Sequence, residues 1–124
     1  MQVLRKDYSH IDIYRGSGGD SDHFLGNLSV AKKYHKVIYM RFLDPNQSYF
    51  FLEHDSLIED AKGRTVSIMP SPIAGNVRSE GLEYELDRET LKLGRNMGLR
   101  NRAVKDRVHI QYSYGCALMF VSNR

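Results

Sequence analysis

Cysteine is nearly absent from this 124-residue chain: Cys116 stands alone. No internal disulfide can form, and the cysteine-rich zinc patterns are excluded. No apolar run is long enough to span a bilayer, and the N-terminal MQVLRKDYSH lacks the apolar core of a signal peptide. A reducing, cytoplasmic compartment with no membrane partner is the expectation. The histidines at 10, 23, 35, 54 and 109 fall at no metal-ligand spacing, so no metal site is expected. His54-Asp55 with His23 or His109 would suit the acid and base of a metal-independent ribonuclease, but scattered surface histidines are the commoner reading. Internal repeats, low-complexity tracts and linkers are missing too, which leaves one domain over residues 1–124. The hydrophobic share is 41% and the charged share 27%, values ordinary for a soluble globular domain.

Residues 2–9 carry little pattern and read as an irregular arm. His10 to Tyr14 alternates like a half-buried strand, with Ile11 and Ile13 on one face. Gly16 to Asp22 holds three glycines and two aspartates and reads as a loop able to approach a ligand closely. Leu28, Ala31 and Tyr34 then sit three apart, giving about two helical turns, with Ser29 or Asn27 as the N-cap. A strand over 37–43, the Asp44-Pro45-Asn46 turn and a strand over 48–52 form a hairpin. His54 to Ala61 suits a short helix. Thr65 to Met69 alternates as a strand that Pro70 and Pro72 stop, and 73–81 reads as loop. Leu82 to Leu86 is a short strand or the lead into a helix from Asp87 through Leu91. Val108 to Val121 is the longest β-like run, interrupted at Gly115. The expected class is α+β: one mixed or antiparallel sheet with two or three helices.

Arg15 closes the first strand beside the glycine loop. An arginine there can hold a phosphate bidentately, helped by backbone N–H groups, or can simply cap a turn. The stretch 10–45, with Tyr14-Arg15-Gly16, then Phe24 and Ser29, then Ala31 and Tyr34, then Asp44-Pro45, resembles small ADP-ribosyltransferase-like domains. That resemblance implies an ADP-ribosyltransferase-like fold with NAD as substrate. Tyr14, Arg15 and Gly16 would hold the dinucleotide, and Ser29 would brace the nicotinamide half. It also implies a late catalytic glutamate, supplied by Glu83-Tyr84-Glu85. Glu85 would serve the ribose and Glu83 the acceptor, with charge stabilisation as in glycosidases. At the serine motif the chain departs from the family, reading Asn27-Leu28-Ser29.

Lys92, Arg95, Arg100, Arg102, Lys105 and Arg107 form a basic block after the acids Glu80, Glu83, Glu85, Asp87 and Glu89. The commoner reading is a solvated face; the other is an electrostatic footprint for a phosphate-bearing partner. Residues 89–108 also fit a helix-turn-helix, with Gly94 at the turn and Arg95, Arg100, Asn101, Arg102, Lys105 and Arg107 facing nucleic acid or a protein target. Tyr112, Tyr114 and Phe120 would then stack bases or, more commonly, fill a core. The leading expectation is a phage or bacterial effector that transfers ADP-ribose to a protein or nucleic-acid target. The alternatives are a non-enzymatic nucleic-acid-binding or inhibitory protein, and a protein-binding module that keeps the enzyme fold without its chemistry.

Overall fold

One strand of 16 residues, β6 (Thr65–Glu80), organises the fold. In the computed structural model, which describes residues 2–4, 9–14 and 21–123, it is flanked by two different pairs of neighbours. Its first half lies between β10 (Tyr114–Ser122) and β8 (Gly98–Arg102), and its second half between β7 (Asp87–Lys92) and β9 (Val108–Gln111). The remaining elements are β1 (Gln2–Leu4), β2 (Ser9–Tyr14), α1 (Ser21–Tyr34), β3 (Ile38–Leu43), β4 (Gln47–Phe51) and β5 (Asp55–Glu59). All ten strands join one curled sheet in the order β1-β5-β9-β6-β10-β4-β3-β2, with β7 and β8 pairing β6 off that path. Among the described residues only β2 and β3 pair in parallel, with α1 as their crossover.

Alternation along the strands sorts the side chains into two cores. On β10, Ala117, Met119 and Val121 join Phe50, Ile68, Val77, Leu91 and Ile110 inside the curl. Their neighbours Cys116 and Leu118 turn the other way, against Phe42, Tyr49, Phe51 and Ala31. Phe24, Leu28 and Ala31 of α1 belong to this second core, at helical spacing. Tyr49 is its hub: its ring stacks on Phe42 at 5.0 Å and meets Phe24 edge-on at 5.5 Å. The helix carries Asp22 in its first turn and Lys32 and Lys33 in its last, as its dipole favours. Among the described residues no helix is long and apolar enough to cross a membrane.

The α+β expectation gives way to a mostly β protein with one helix among the described residues. The expected helix over 54–61 is β5, whose Ser56 and Ile58 point inward while its backbone pairs with β9 and β1. Residues 2–4 of the expected arm form β1. Pro70 and Pro72 do not end the strand. Pairing with β10 runs from Pro70↔Ala117 to Ala74↔Gly115 across a register shift, so Pro72 sits where no ladder hydrogen bond to β10 is required. The segment read as a helix-turn-helix is β7, a turn and β8. Gly94 at φ 80° shapes the turn, Asn96 Nδ2 donates to Thr90 O, and both strands pair with β6. Ser29 is no N-cap, because α1 begins at Ser21. Arg15 and Gly16, with the loop to Asp20, lie outside the described residues.

Tyr112 is buried and its hydroxyl donates to Leu52 O at 2.6 Å. Phe120 packs on Tyr49, so neither is a base-stacking surface. Gly115 sits at φ 90°, and a Cβ there would lie 2.0 Å from Ile73 O. Gly115→Ala is therefore expected to cost about 2 kcal/mol or more in urea unfolding. A change within about 0.5 kcal/mol would show that the bend is not constrained there.

Candidate functional site

The connection from β6 to β7, residues 81–86, is held more tightly than its irregular path suggests. Glu85 accepts three hydrogen bonds: from Ser79 Oγ at 2.8 Å, from Leu82 N at 2.9 Å and from Gly81 N at 2.9 Å. Ser79 Oγ in turn accepts Leu86 N at 2.7 Å. From the other side comes Asn101 of β8, itself buried. Its Nδ2 donates to Tyr84 O at 2.7 Å, and its Oδ1 accepts Tyr84 N at 3.1 Å and Arg102 N at 2.8 Å. The asparagine side chain thus acts as a strand neighbour for the tyrosine backbone. Glu83 N bonds Arg102 O and Val104 N bonds Gly81 O, both at 2.8 Å. Gly81, at φ 102°, lies so close to Arg107 O that a Cβ would reach 2.5 Å.

The side chain at the middle of this clamp is left in water: Tyr84 is 70% exposed. An aromatic ring on a backbone fixed by both its N–H and its C=O is a preorganised face for a cationic or heteroaromatic ligand. Exposed Glu83 precedes it, and exposed Arg100 and Arg102 flank Asn101. Arg100 stands at φ 55° where β8 slips against β6, and its N–H bonds Ser67 Oγ at 2.8 Å. Such bulges re-aim side chains beside binding sites. Behind the loop, Glu85, Leu86 and Asp87 share with Arg78, Glu80 and His109 a cleft of about 300 Å³. There His109 Nε2 meets Asp55 Oδ1.

The other residues singled out from sequence disperse. Glu83 and Glu85 sit in a loop rather than on one strand face, and Glu85's carboxylate braces the backbone. Tyr14 is 78% exposed at the end of β2, and Ser29 lies on the exposed side of α1. No hydrogen bond among the described residues links either to the glutamates. Arg95 caps the β7–β8 turn through its N–H to Lys92 O. Arg100 and Arg102 lie on β8 and Lys105 in the turn beyond, while Arg107 pairs with Glu59 at 2.8 Å. Burial pushes the Cys116 thiol up, with Lys32 and Lys36 pulling the other way, so it is a poor nucleophile at neutral pH. Asn101, grouped from sequence with the arginines that would face nucleic acid, is instead buried and holds the loop. Its only signal was a polar residue at an inward position between two outward arginines.

This curled sheet with one crossover helix is the fold of the thiamin pyrophosphokinases. The crystal structure of the Bacillus subtilis thiamine pyrophosphokinase superposes with a TM-score of 0.83 at 27% identity, over 94% of this chain and 56% of that one. That from Geobacillus thermodenitrificans gives 0.83 at 20% identity, over 96% and 56%. In sequence, the Bacillus subtilis thiamine pyrophosphokinase is 29% identical over 97% of this chain and 58% of its own length. The chain therefore spans little more than half of these relatives. The family model of the thiamin pyrophosphokinase vitamin B1 binding domain matches residues 54–117, more than half of the chain. The chain belongs to that family.

The match overturns the ADP-ribosyltransferase resemblance. The relatives are named for thiamine and pyrophosphoryl transfer; NAD, a macromolecular target, an effector role and nucleic acid have no support among them. The roles implied for Tyr14, Arg15, Gly16, Ser29, Glu83 and Glu85 in ADP-ribose transfer lose their basis with it, as do those of Arg95, Arg100, Arg102, Lys105 and Arg107 in a helix-turn-helix. For the clamp itself, Asn101→Ala should cost about 1–3 kcal/mol of stability, because it strands buried backbone groups. It should also speed hydrogen exchange at the Tyr84 amide. Unchanged exchange there would mean that the asparagine does not hold the loop.

Proposed function

We propose that this chain recognises thiamine as part of a thiamine pyrophosphokinase, serving transfer of a pyrophosphoryl group from a nucleoside triphosphate to the alcohol of the vitamin. The observation that carries this reading is the family match over 54–117, which takes in the clamped loop and β8. Thiamine joins a positively charged thiazolium to an aminopyrimidine. The exposed ring of Tyr84 offers the negative face such a cation prefers, an attraction of roughly 0.5–2 kcal/mol. Glu83 supplies a neighbouring counter-charge. Asn101 and Glu85 act as positioning residues that fix the loop before the ligand arrives. The single sheet that all the described strands join supports treating residues 1–124 as one folding unit, and the single, buried Cys116 supports a cytoplasmic setting.

Titration calorimetry with thiamine tests the reading. The wild-type chain should bind saturably, and Tyr84→Ala should weaken binding about tenfold, the equivalent of about 1.4 kcal/mol. Conversion of thiamine by the chain in the presence of ATP is the matching activity assay. A folded wild type that takes up no thiamine sinks the proposal.

A further inference from the structure

The path of paired strands ends on one side in β1 and on the other in β2. β1 is three residues long, and a short strand is one way a permanent edge avoids recruiting another chain. β7 pairs with β6 across two register shifts and carries Asp87, Arg88, Glu89 and Lys92, charge and irregularity that protect it in the same sense. β2 is six residues long and has none of these protections. Its sequence, Ser-His-Ile-Asp-Ile-Tyr, holds no proline and no lysine, and its register with β3 runs without a bulge. Its one acid, Asp12, pairs with Arg41 of β3 at 3.1 Å. Among the described residues β3 is its single strand neighbour. That pairing is parallel, and parallel strands belong mainly to sheets whose faces are both covered.

Exposed apolar surface is concentrated around this edge. Among the described residues eleven large hydrophobic side chains stay exposed, and six of them fall between Ile11 and Val37. On β2, Ile13 packs against the second core, while Ile11 on the same face is 42% exposed. Tyr14 on the other face is largely in solvent. On α1, Phe24, Leu28 and Ala31 face the second core. At about 100° per residue, Leu25 falls on one flank of that face and Val30 and Tyr34 on the other. All three are exposed. A helix with one neighbour needs a single apolar stripe, so apolar flanks on both sides suit a helix that packs beside others. Little more than half of each superposed Bacillus and Geobacillus relative is shared with this chain. The rest of those proteins packs against the common fold, and β2 is the long, unprotected edge that this chain offers for it. A strand, a crossover helix and a parallel strand are the unit by which such sheets extend, each new strand adding at an edge.

We propose that the β2 edge and a flank of α1 form a docking surface for a partner polypeptide of the α/β kind, which adds an apolar strand parallel to β2 and lays a helix beside α1. Main-chain hydrogen bonds along β2 supply affinity, and the alternating apolar residues supply specificity. Nothing in this surface depends on thiamine recognition. The probe is the part of the Bacillus subtilis thiamine pyrophosphokinase outside the shared fold, supplied as a separate chain. It is refolded from urea together with the full 124-residue protein, so that neither has to fold alone. A complex of one copy of each is expected in analytical ultracentrifugation. Hydrogen exchange at the β2 amides should slow at least about tenfold, and exchange at the β1 amides should not change. Ile11→Lys places a charge in the contact and should weaken the complex at least about tenfold. It should leave the urea midpoint of the free chain in place, because Ile11 is already nearly half in water. Tyr84→Ala should bind the probe as the wild type does, which separates this surface from the thiamine site. No complex, a complex that leaves β2 exchange fast, equal affinity in Ile11→Lys, or a homodimer that protects β2 without the probe would each overturn the docking surface.

Discussion

The structure depends on one strand belonging to two sets of neighbours. A 16-residue strand is about three times the usual length, and it is stable only if both halves find partners on both sides. Here the first half does so with β10 and β8 and the second with β7 and β9. The change of partners falls at residues 70–74, where burial loses its strict alternation. It lets one sheet curl over its own apolar face, where Ile68 and Val77 of β6 join Phe50 of β4 and Ile110 of β9 in one core. At about 3.3 Å per residue the ends of β6 lie up to roughly 50 Å apart along the strand. Yet the curl brings those ends back together through β8: Ala103 N donates to Arg64 O at 3.0 Å before the start of β6, and Ala103 pairs with Leu82 just beyond its end.

Where regular pairing stops, side chains take over the backbone's hydrogen bonds. Residues 81–86 could not remain partly buried with their N–H and C=O groups unpaired. Glu85 and Asn101 answer that requirement from opposite sides. Their combined effect is to immobilise a backbone whose central side chain is exposed. An unheld loop would lose binding free energy on ordering, about 1–2 kcal/mol for each residue fixed. This loop has met that cost on folding. A bulged β8, with Arg100 in the left-handed region, is the local strain that places Asn101 in position.

Much of the chain was legible where alternation or turn chemistry was strong. The first strand and the hairpin around Asp44-Pro45 occur. The expected two turns from Leu28 are the later part of a helix that begins at Ser21. The terminal β-run is two strands that break at 112–113 rather than at Gly115. The failures share a physical cause. In 54–61 and 87–91 the apolar residues are too few to distinguish a period of two from one of 3.6, and strand partners far along the chain decided the outcome. Pro70 and Pro72 read as a stop because a sequence does not reveal that β6 exchanges partners there. The stretch 10–45 attracted a resemblance because a strand, a glycine loop, a helix and a strand are shared by many βαβ units. The segment that carries the family, 54–117, was read for an acidic pair and a helix-turn-helix instead. Within it, Glu83-Tyr84-Glu85 was noticed for its carboxylates, while the structure gives one of them to the backbone and leaves the tyrosine outside.

The positive charge makes the same point about what a linear pattern can hide. Residues 92–107 look like one basic surface, yet a hairpin and a turn distribute them, and Arg107 is already paired with Glu59. Exposed arginines of this kind attract anions weakly, because each keeps its hydration and its freedom. Arg41 and Arg64 are 23 positions apart in the numbering and give no signal in a composition scan. Parallel and antiparallel pairing bring them to one cleft, carboxylates fix their orientation, and burial lowers the dielectric around Arg64. These two guanidinium groups are fixed by strand pairing and carboxylates, which no spacing in the linear sequence announces.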